Sequence, residues 1–319
     1  AGVIGYYFPS AVITGMLSGI GIIIFLKQIP HTMGYDKDYE GDISFFQGDD
    51  YTTLTELGHM LDFIAPGAVV ISLVCLAILL LWETSWIKQY PFRQWLHSSL
   101  IVVIVGVLLN QLFVFFYPEL ALGASHLVRL PEAETLHDVL GLITLPNFSQ
   151  ITNPAIYTLA FTIAIVASLE TLLCVEAVDK LDPYKRVTSS NRELRAQGIG
   201  NICSGLIGGL PMTQLIVRSS ANMQSGGRTK TAAFTQGVLL LIVVLWVPHV
   251  ANMIPLASLA SILLVVGYKL AQPTLFKTMY QVGYFHFIPF MATIFGLIFS
   301  DMLTGISIGM GFALFFILQ

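Results

Sequence analysis

The residues best suited to do chemistry lie in one stretch, Gly208 to Thr231, which reads GGLPMTQLIVRSSANMQSGGRTKT. Arg218 stands near its middle, and Thr213, Gln214, Ser219, Ser220 and Asn222 place five polar side chains within ten residues. Single hydroxyls in apolar helices commonly bond their own backbone; this density beside an arginine exceeds that expectation. Gly208, Gly209 and Pro211 open the stretch, and Gly226-Gly227 with Arg228 and Lys230 close it. The apolar part between the breakers, Met212 to Met223, is 12 residues long, whereas a helix needs roughly 20 to cross a bilayer. The spacing predicts a half-helix that begins inside the membrane. Such a start exposes unpaired backbone N–H groups and the positive end of a dipole, which attract anions. Broken helices of this kind build substrate sites near the bilayer midplane. The stretch therefore reads as a site for a small anion. A cation at membrane depth costs ~2.5–3.5 kcal/mol on insertion scales, so Arg218 must face an anion, pair with a carboxylate such as Glu170, or snorkel to the interface.

Glu170 is the second candidate. It lies 16 residues beyond Pro154, where an apolar segment begins, and deeper than Glu176 and Asp179 at that segment's end. A carboxyl buried without a partner favours its protonated form and can carry a proton, whereas one beside Arg218 stays charged. Other chemistries find little support. Cys75, Cys174 and Cys203 are isolated in apolar segments, without metal or disulfide spacing. The seven histidines (His31, His59, His97, His126, His137, His249 and His286) sit in loops or at segment ends with no metal-ligand spacing. Gly226 to Thr231 lacks the Walker spacing of a phosphate loop. Asn147-Phe148-Ser149 is a glycosylation sequon of a kind common by chance. No nucleophile–base pair is visible, so neither an enzyme, a metal centre nor a bound cofactor is expected.

The elements that hold these residues are membrane spans. The chain is 55% hydrophobic and 11% charged, with a mean hydropathy of +0.77; soluble domains carry about 25% charged residues. Spans are predicted over 4–26, 64–82, 98–116, 154–178, 193–207, the stretch itself, 232–250, a short segment over 256–266, and two short spans within 287–318 separated at Asp301 and Gly305. Asn191 or Asn201 is a candidate start for the fifth. Gly15-xxx-Gly19 in the first permits close helix packing. The connections alternate in charge. Residues 28–62 carry eight acids against Lys37, and 117–152 hold Glu119, Glu132, Glu134 and Asp138 against Arg129. Lys88 and Arg93, then Lys180, Lys185, Arg186, Arg192 and Arg195, then Arg228 and Lys230, then Lys269 and Lys277 fall on the opposite side. That side is cytoplasmic by the positive-inside rule, and the alternation holds only if the stretch counts as a crossing. A faint internal echo joins Pro9-Ser-Ala-Val-Ile to Pro255-Leu-Ala-Ser-Leu, each followed by a lysine and a glutamine. These two segments run in opposite directions, as inverted repeats do.

Several motifs resemble the sulfate permease (SulP) family of anion transporters, to which pendrin and prestin belong. They are Ser168-Leu-Glu-Thr-Leu-Leu173, Asn191-Arg-Glu-Leu with Gln197-Gly-Ile-Gly-Asn201, Ser204-Gly-Leu with Gly208-Gly209 and Pro211, and Ser225-Gly-Gly-Arg-Thr229. Pro9-xx-Val-Ile-x-Gly15-xxx-Gly19 is similar to that family's fifth span. The resemblance covers essentially the whole chain, with the motifs in order. It implies an all-α polytopic membrane protein, part of a fourteen-span transporter of two inverted seven-span repeats. By that map residues 1–116 are gate-domain spans five to seven, 117–152 an extracellular loop, 153–251 core-domain spans eight to eleven, and 252–319 gate-domain spans twelve to fourteen. The first four spans, with the opposing half-helix, and a cytoplasmic STAS domain would lie outside this chain. The resemblance further implies a substrate site of Leu215, Ile216, Val217, Arg218 and Ser219, to which the polar Thr213 and Gln214 add themselves, with Glu170 as the coupling carboxylate. A sodium-dependent bicarbonate branch of the family carries Asp in place of Glu170, a hydroxyl residue in place of Cys174 and no arginine at Arg218. Cysteine offers no hard oxygen to sodium, so proton coupling or anion exchange is expected instead.

The expectation is thus a secondary transporter of small inorganic anions such as sulfate or bicarbonate. It would sit as a homodimer in the bacterial inner membrane, with the bilayer as its other partner and no nucleic acid. A nucleobase permease shares the architecture, but its pocket calls for acids and stacking aromatics, where this stretch has a cation and no aromatic. A non-transporting membrane scaffold is the third reading.

Overall fold

A computed structural model describes residues 9–36, 53–60, 63–84, 89, 97–130, 141, 143–215, 218–219, 222–223, 226–300 and 302–318. It is built from helices: α1 (Ser10–Met33), α2 (Pro66–Trp82), α3 (Ser98–Phe116), α4 (Pro154–Leu181), α5 (Ser190–Leu206), α6 (Thr231–Trp246), α7 (Leu256–Leu270), α8 (Pro273–Val282), α9 (Tyr284–Phe299) and α10 (Met302–Leu318), with short turns between. Among the described residues α1, α3, α4 and the α7–α8 run are long and apolar enough to cross a membrane, and α2, α6, α9 and α10 are shorter apolar helices. Their outer faces carry large exposed side chains such as Leu73, Leu81, Phe115, Phe161, Phe234 and Leu241, as expected of a surface solvated by lipid.

Prolines and glycines mark the helix ends. Pro9, Pro255 and Gln272 cap α1, α7 and α8 in extended conformation. Gly34 ends α1 with φ +85°, its N–H donating to the His31 carbonyl, a left-handed stop that glycine adopts without steric cost. α1 begins after Pro9, whose ring suits the position just before a helix; the predicted start of the first span, Ile4, lies outside the described residues. α5 begins at Ser190, so Asn201 lies well inside it. Pro248 ends the predicted 232–250 span early and starts a separate turn, Pro248–Ala251. α8 was not anticipated: its ten residues are amphipathic, with Lys277 among Leu275, Phe276 and Met279, too polar to register as a span. The last apolar run divides between Phe299 and Met302; Asp301, the predicted divider, lies outside the described residues.

The chain forms two compact units, Pro9–Leu130 with Val247–Gln319, and Pro131–Trp246. In the first unit α1 and α7 pack together. A Cβ on Gly21 would lie 2.7 Å from Leu270 Cβ and 2.8 Å from the Gly267 carbonyl, and one on Gly267 would lie 2.7 Å from the Gly21 carbonyl. At the other end of α1 the Thr32 carbonyl accepts from Ser72 Oγ (3.0 Å), which also reaches the Ala257 carbonyl at the start of α7 (3.4 Å). The two helices therefore run antiparallel. Partners are exchanged between the halves. α1 packs on α9, with Gly15 against Phe290 and Thr293 and Gly19 against Leu297, whereas α7 packs on α2 and α3 around Ile71, Cys75, Val102 and Ala257. α9 and α10 form an antiparallel pair in which Gly296 meets Gly305 and Gly309 meets Thr293. Antiparallel lead helices with exchanged partners are the contact pattern of an inverted repeat, and the Gly15-xxx-Gly19 packing role predicted from sequence is realised.

Two polar ties hold the non-helical parts of this unit. Asp36, following α1, accepts from His31 Nδ1 (2.7 Å) and His126 Nδ1 (2.6 Å) through its two carboxylate oxygens. Where the chain leaves the unit at Leu130, Asn252 accepts the Leu130 N–H (2.6 Å) and donates to its carbonyl (3.1 Å). Val128 N–H donates to the Ile254 carbonyl beside it (3.0 Å).

Candidate functional site

The second unit, Pro131–Trp246, holds every candidate residue. α4 starts at Asn153, whose side chain accepts the Ala155 N–H (3.1 Å), with Pro154 at the first helical position. Sixteen residues on, about 24 Å along the axis, the helix presents Glu170, half-buried, with Thr171, Leu172, Leu173, Cys174 and Val175 buried after it. The Thr213 side chain lies beside the Glu170 carboxylate, which brings the carboxylate of α4 and the 208–231 stretch together.

The stretch begins as irregular backbone rather than helix. α5 ends at Leu206, and Gly208 turns the chain with φ +81°. A Cβ there would lie 2.7 Å from the Thr144 carbonyl, so conformation and space both call for glycine. Gly209 N–H returns to the Ser204 carbonyl (2.7 Å). From Leu210 to Gln214 no helix or sheet ladder satisfies the peptide groups, and side chains of the neighbouring helices supply the bonds. Ser204 Oγ donates to the Leu210 carbonyl (2.9 Å). Asn201 accepts the Met212 N–H at Oδ1 (2.6 Å) and donates from Nδ2 to the Met212 carbonyl (3.0 Å). Gln197 Nε2 donates to that same carbonyl (3.1 Å) and to the Ala167 carbonyl of α4 (3.2 Å). Gln214 N–H points at Thr171 Oγ1 (3.5 Å). Residues 197, 201 and 204 share one face of α5, since positions three, four and seven apart coincide on a helix. Non-helical backbone at membrane depth requires such satisfaction, from protein or from a water-filled cavity.

Met212 to Leu215 are not helical, and residues 218–219 are; the Leu215 carbonyl accepts both the N–H (3.3 Å) and the Oγ (2.9 Å) of Ser219. The half-helix thus starts later than the predicted Met212, whose peptide groups are bound by α5 side chains instead. Its far end is a Schellman stop: Gly227 N–H bonds the Asn222 carbonyl (2.9 Å), Gly226 N–H bonds the Met223 carbonyl (3.0 Å), and Gly226 has φ +85°. The interval from 215 to 226 covers at most about 17 Å as α-helix, roughly half the hydrocarbon thickness. Arg218 is exposed, and among the described residues no carboxylate pairs with it, Glu170 included. Ile216 and Val217 lie outside the described residues. Thr213, Gln214, Leu215, Arg218 and Ser219 lie in sequence where the irregular segment gives way to helix.

At the solvent end of α4, Asp182 accepts from Arg186 Nε (2.8 Å) and its second terminal nitrogen (3.1 Å), and from the Arg186 N–H (3.1 Å). These bonds hold the Asp182 carboxyl well below the ordinary carboxylate range. Arg186 also donates to the Arg228 carbonyl (3.0 Å), just past the end of the half-helix. Both guanidinium groups lie over the Tyr184 ring, at 5.1 and 5.6 Å from its centroid. The α4–α5 loop is thereby tied to the closing end of the stretch.

Gln197, Asn201 and Ser204 are the residues that sequence reasoning undervalued: they entered as matching motif letters, and Asn201 as a candidate helix start. Their signal was a polar side chain at each of positions 197, 201 and 204 on one face of the apolar, glycine-rich second half of α5.

An inverted-repeat bundle of apolar helices, with an irregular segment that leads into a short helix beside the carboxylate of an apolar helix, defines a multi-pass membrane transporter fold. The Sulfate permease family profile matches residues 2–293, and the chain belongs to that family. It is 29% identical over 275 residues to the bicarbonate transporter BicA of Picosynechococcus sp., covering 86% of this chain and 44% of the relative. It is 26% identical over 313 residues to the putative sulfate transporter YvdB of Bacillus subtilis, covering 98% and 55%. Its fold matches the transmembrane domain of a cyanobacterial bicarbonate transporter BicA with a TM-score of 0.68 at 22% identity, over 98% of this chain and 70% of that one. It also matches murine solute carrier 26 family member A9, an anion transporter in the inward-facing state, with a TM-score of 0.71 at 15% identity, over 99% and 50%. The chain spans about half the length of these curated relatives.

Proposed function

We propose that the protein to which this chain contributes is a secondary active transporter of small inorganic anions such as sulfate or bicarbonate. It works by alternating access, as a proton-coupled symporter or an exchanger, in the bacterial inner membrane and as a homodimer. In this reading residues 153–251 carry the substrate as the core, and residues 1–116 and 252–319 belong to the gate. The start of the half-helix, with Thr213, Gln214, Leu215, Ile216, Val217, Arg218 and Ser219, receives the anion through backbone N–H groups and the Arg218 charge. Glu170 handles coupling.

The observation that carries the reading is the proximity of the Thr213 side chain to the Glu170 carboxylate. It sets a group able to gain and lose a proton beside the segment that leads into the half-helix. A hydroxyl beside a carboxylate favours the charged form, so a proton on Glu170 is felt by that segment. Arg218, free of a carboxylate partner among the described residues, keeps its charge for a ligand. The family and the anion-transporting relatives support the substrate class.

The test is uptake by the full-length protein in proteoliposomes, with sulfate, bicarbonate and uracil as separate substrates, under an imposed pH gradient and under an imposed sodium gradient. Uptake of an inorganic anion that follows the pH gradient, or exchanges with internal anion, is expected. Uptake of uracil, or of none of the three, contradicts the reading. Glu170→Gln is expected to flatten the pH dependence of uptake; an unchanged profile removes Glu170 from the coupling role.

A further inference from the structure

We propose that Asn201 and Gln197 are positioning residues for transport: by binding the peptide groups of Met212 and so holding them outside the helix, they fix where the half-helix begins and so set the affinity for the anion. The inference rests on the proposed anion site in the 213–219 segment.

Asn201 acts toward Met212 as a neighbouring β-strand would, accepting its N–H (2.6 Å) and donating to its carbonyl (3.0 Å). A single side-chain amide thus satisfies both polar groups of one residue. Gln197 completes the second lone pair of that carbonyl (3.1 Å) and uses its other hydrogen on the Ala167 carbonyl (3.2 Å). Ala167 lies one turn before Glu170 on α4. Gln197 therefore spaces the non-helical segment from the turn of α4 that bears Glu170, while the Thr213 side chain lies beside the carboxylate itself. The bonding also fixes how both amides are turned: exchanging O and N in either would set an oxygen against the Met212 carbonyl.

The alternative for the freed backbone is helix. Leu210 to Gln214 otherwise has no ladder, and the helical bond that Ser219 makes to the Leu215 carbonyl needs only to be repeated one turn upstream for the Met212 carbonyl to be satisfied by the N–H four residues on. Proline at 211 fits the first turn of such a helix. Without Asn201 and Gln197 the start of the half-helix is free to move toward Pro211, carrying the exposed N–H groups and dipole end away from Thr213 and Arg218. The protein then spends only part of its time with the site assembled, and apparent affinity falls by that fraction. The maximal rate, measured when substrate holds the site together, falls less.

The experiment uses the full-length protein with Asn201→Ala and, separately, Gln197→Ala, reconstituted in proteoliposomes with labelled sulfate and bicarbonate over a range of concentrations. Amide hydrogen exchange is followed on the same preparations. For Asn201→Ala the half-saturating concentration is expected to rise at least about tenfold, as loss of two hydrogen bonds allows, with maximal rate within about threefold of wild type. Gln197→Ala shifts it in the same direction by less. Exchange at the Met212 and Thr213 amides speeds up in both variants while α5 keeps its protection. A half-saturating concentration within about twofold of wild type overturns the inference, as does a maximal rate that falls at constant half-saturation, the mark of a merely structural loss. If the wild-type protein takes up neither anion, the anion reading fails by itself, and exchange then decides: faster exchange confined to residues 210–215 upholds the positioning role, and unchanged exchange ends it.

Discussion

Single residues divide here into those whose roles follow from their type and those whose roles follow from their place. Arg218 and Glu170 stand out in sequence because a charge at membrane depth is costly and demands a reason. Asn201, Gln197 and Ser204 do not, since neutral polar residues in a span usually bond locally, and only the fold shows them turned toward Leu210 and Met212. The Glu170 partner was also hidden: pairing with Arg218 was open from sequence, and the structure places Thr213 there instead. Asp182 affords a pH test. Arg186 holds its folded-state carboxyl below the ordinary value near pH 4. Stability from this pair is therefore fully present above about pH 4 and is lost as pH falls through the lower folded value. The difference in apparent melting temperature between wild type and Asp182→Asn should stay constant from about pH 8 to about pH 5 and shrink only below about pH 4. A difference that already vanishes near pH 6 would show that the Arg186 pair is not its source.

At the scale of elements, helix identity was legible and helix ends were less so. The 98–116 span coincides with α3 because a polar connection precedes it and Pro118 follows. The half-helix start moved from Met212 to beyond Leu215, because its limit is set by α5 side chains rather than by local propensity. α8 escaped notice because its polar face made it too hydrophilic for a span. The packing contacts give a sharp prediction. Gly21 and Gly267 face each other's backbone with no room for a methyl, so Gly21→Ala and Gly267→Ala should each destabilise by about 1–3 kcal/mol through overpacking. Gly237 in α6 meets nothing within 4 Å, and Gly237→Ala should be neutral or stabilising by up to ~1 kcal/mol from helix propensity. Thermal unfolding in detergent checks all three. Equal effects at the three positions would mean that α1 and α7 do not cross at these glycines. The same element-scale device occurs in both units: Asn252 pairs with Leu130 as Asn201 pairs with Met212.

For the whole molecule, charge segregation was the strongest sequence signal. It set the expected number of crossings, and in that expectation the 208–231 stretch has to be one of them. The inverted repeat was barely legible, as five matching residues around Pro9 and Pro255, because packing preserves the exchanged helix pairing while sequence drifts. The sidedness is testable in a cysteine-free full-length protein, with Cys75, Cys174 and Cys203 replaced. An impermeant maleimide applied outside intact cells should label Ser125→Cys and leave Lys185→Cys unlabelled until the membrane is opened. Labelling of Lys185→Cys from outside would invert the topology. The central claim, that the broken crossing binds the anion through the half-helix start and Arg218, meets its most direct test in one comparison: initial uptake of labelled sulfate or bicarbonate by wild-type and Arg218→Ala full-length protein in proteoliposomes at matched protein density. The account predicts that uptake by Arg218→Ala falls at least about tenfold, as loss of one charge-assisted contact implies, with reconstitution unchanged. Uptake equal to wild type would contradict it.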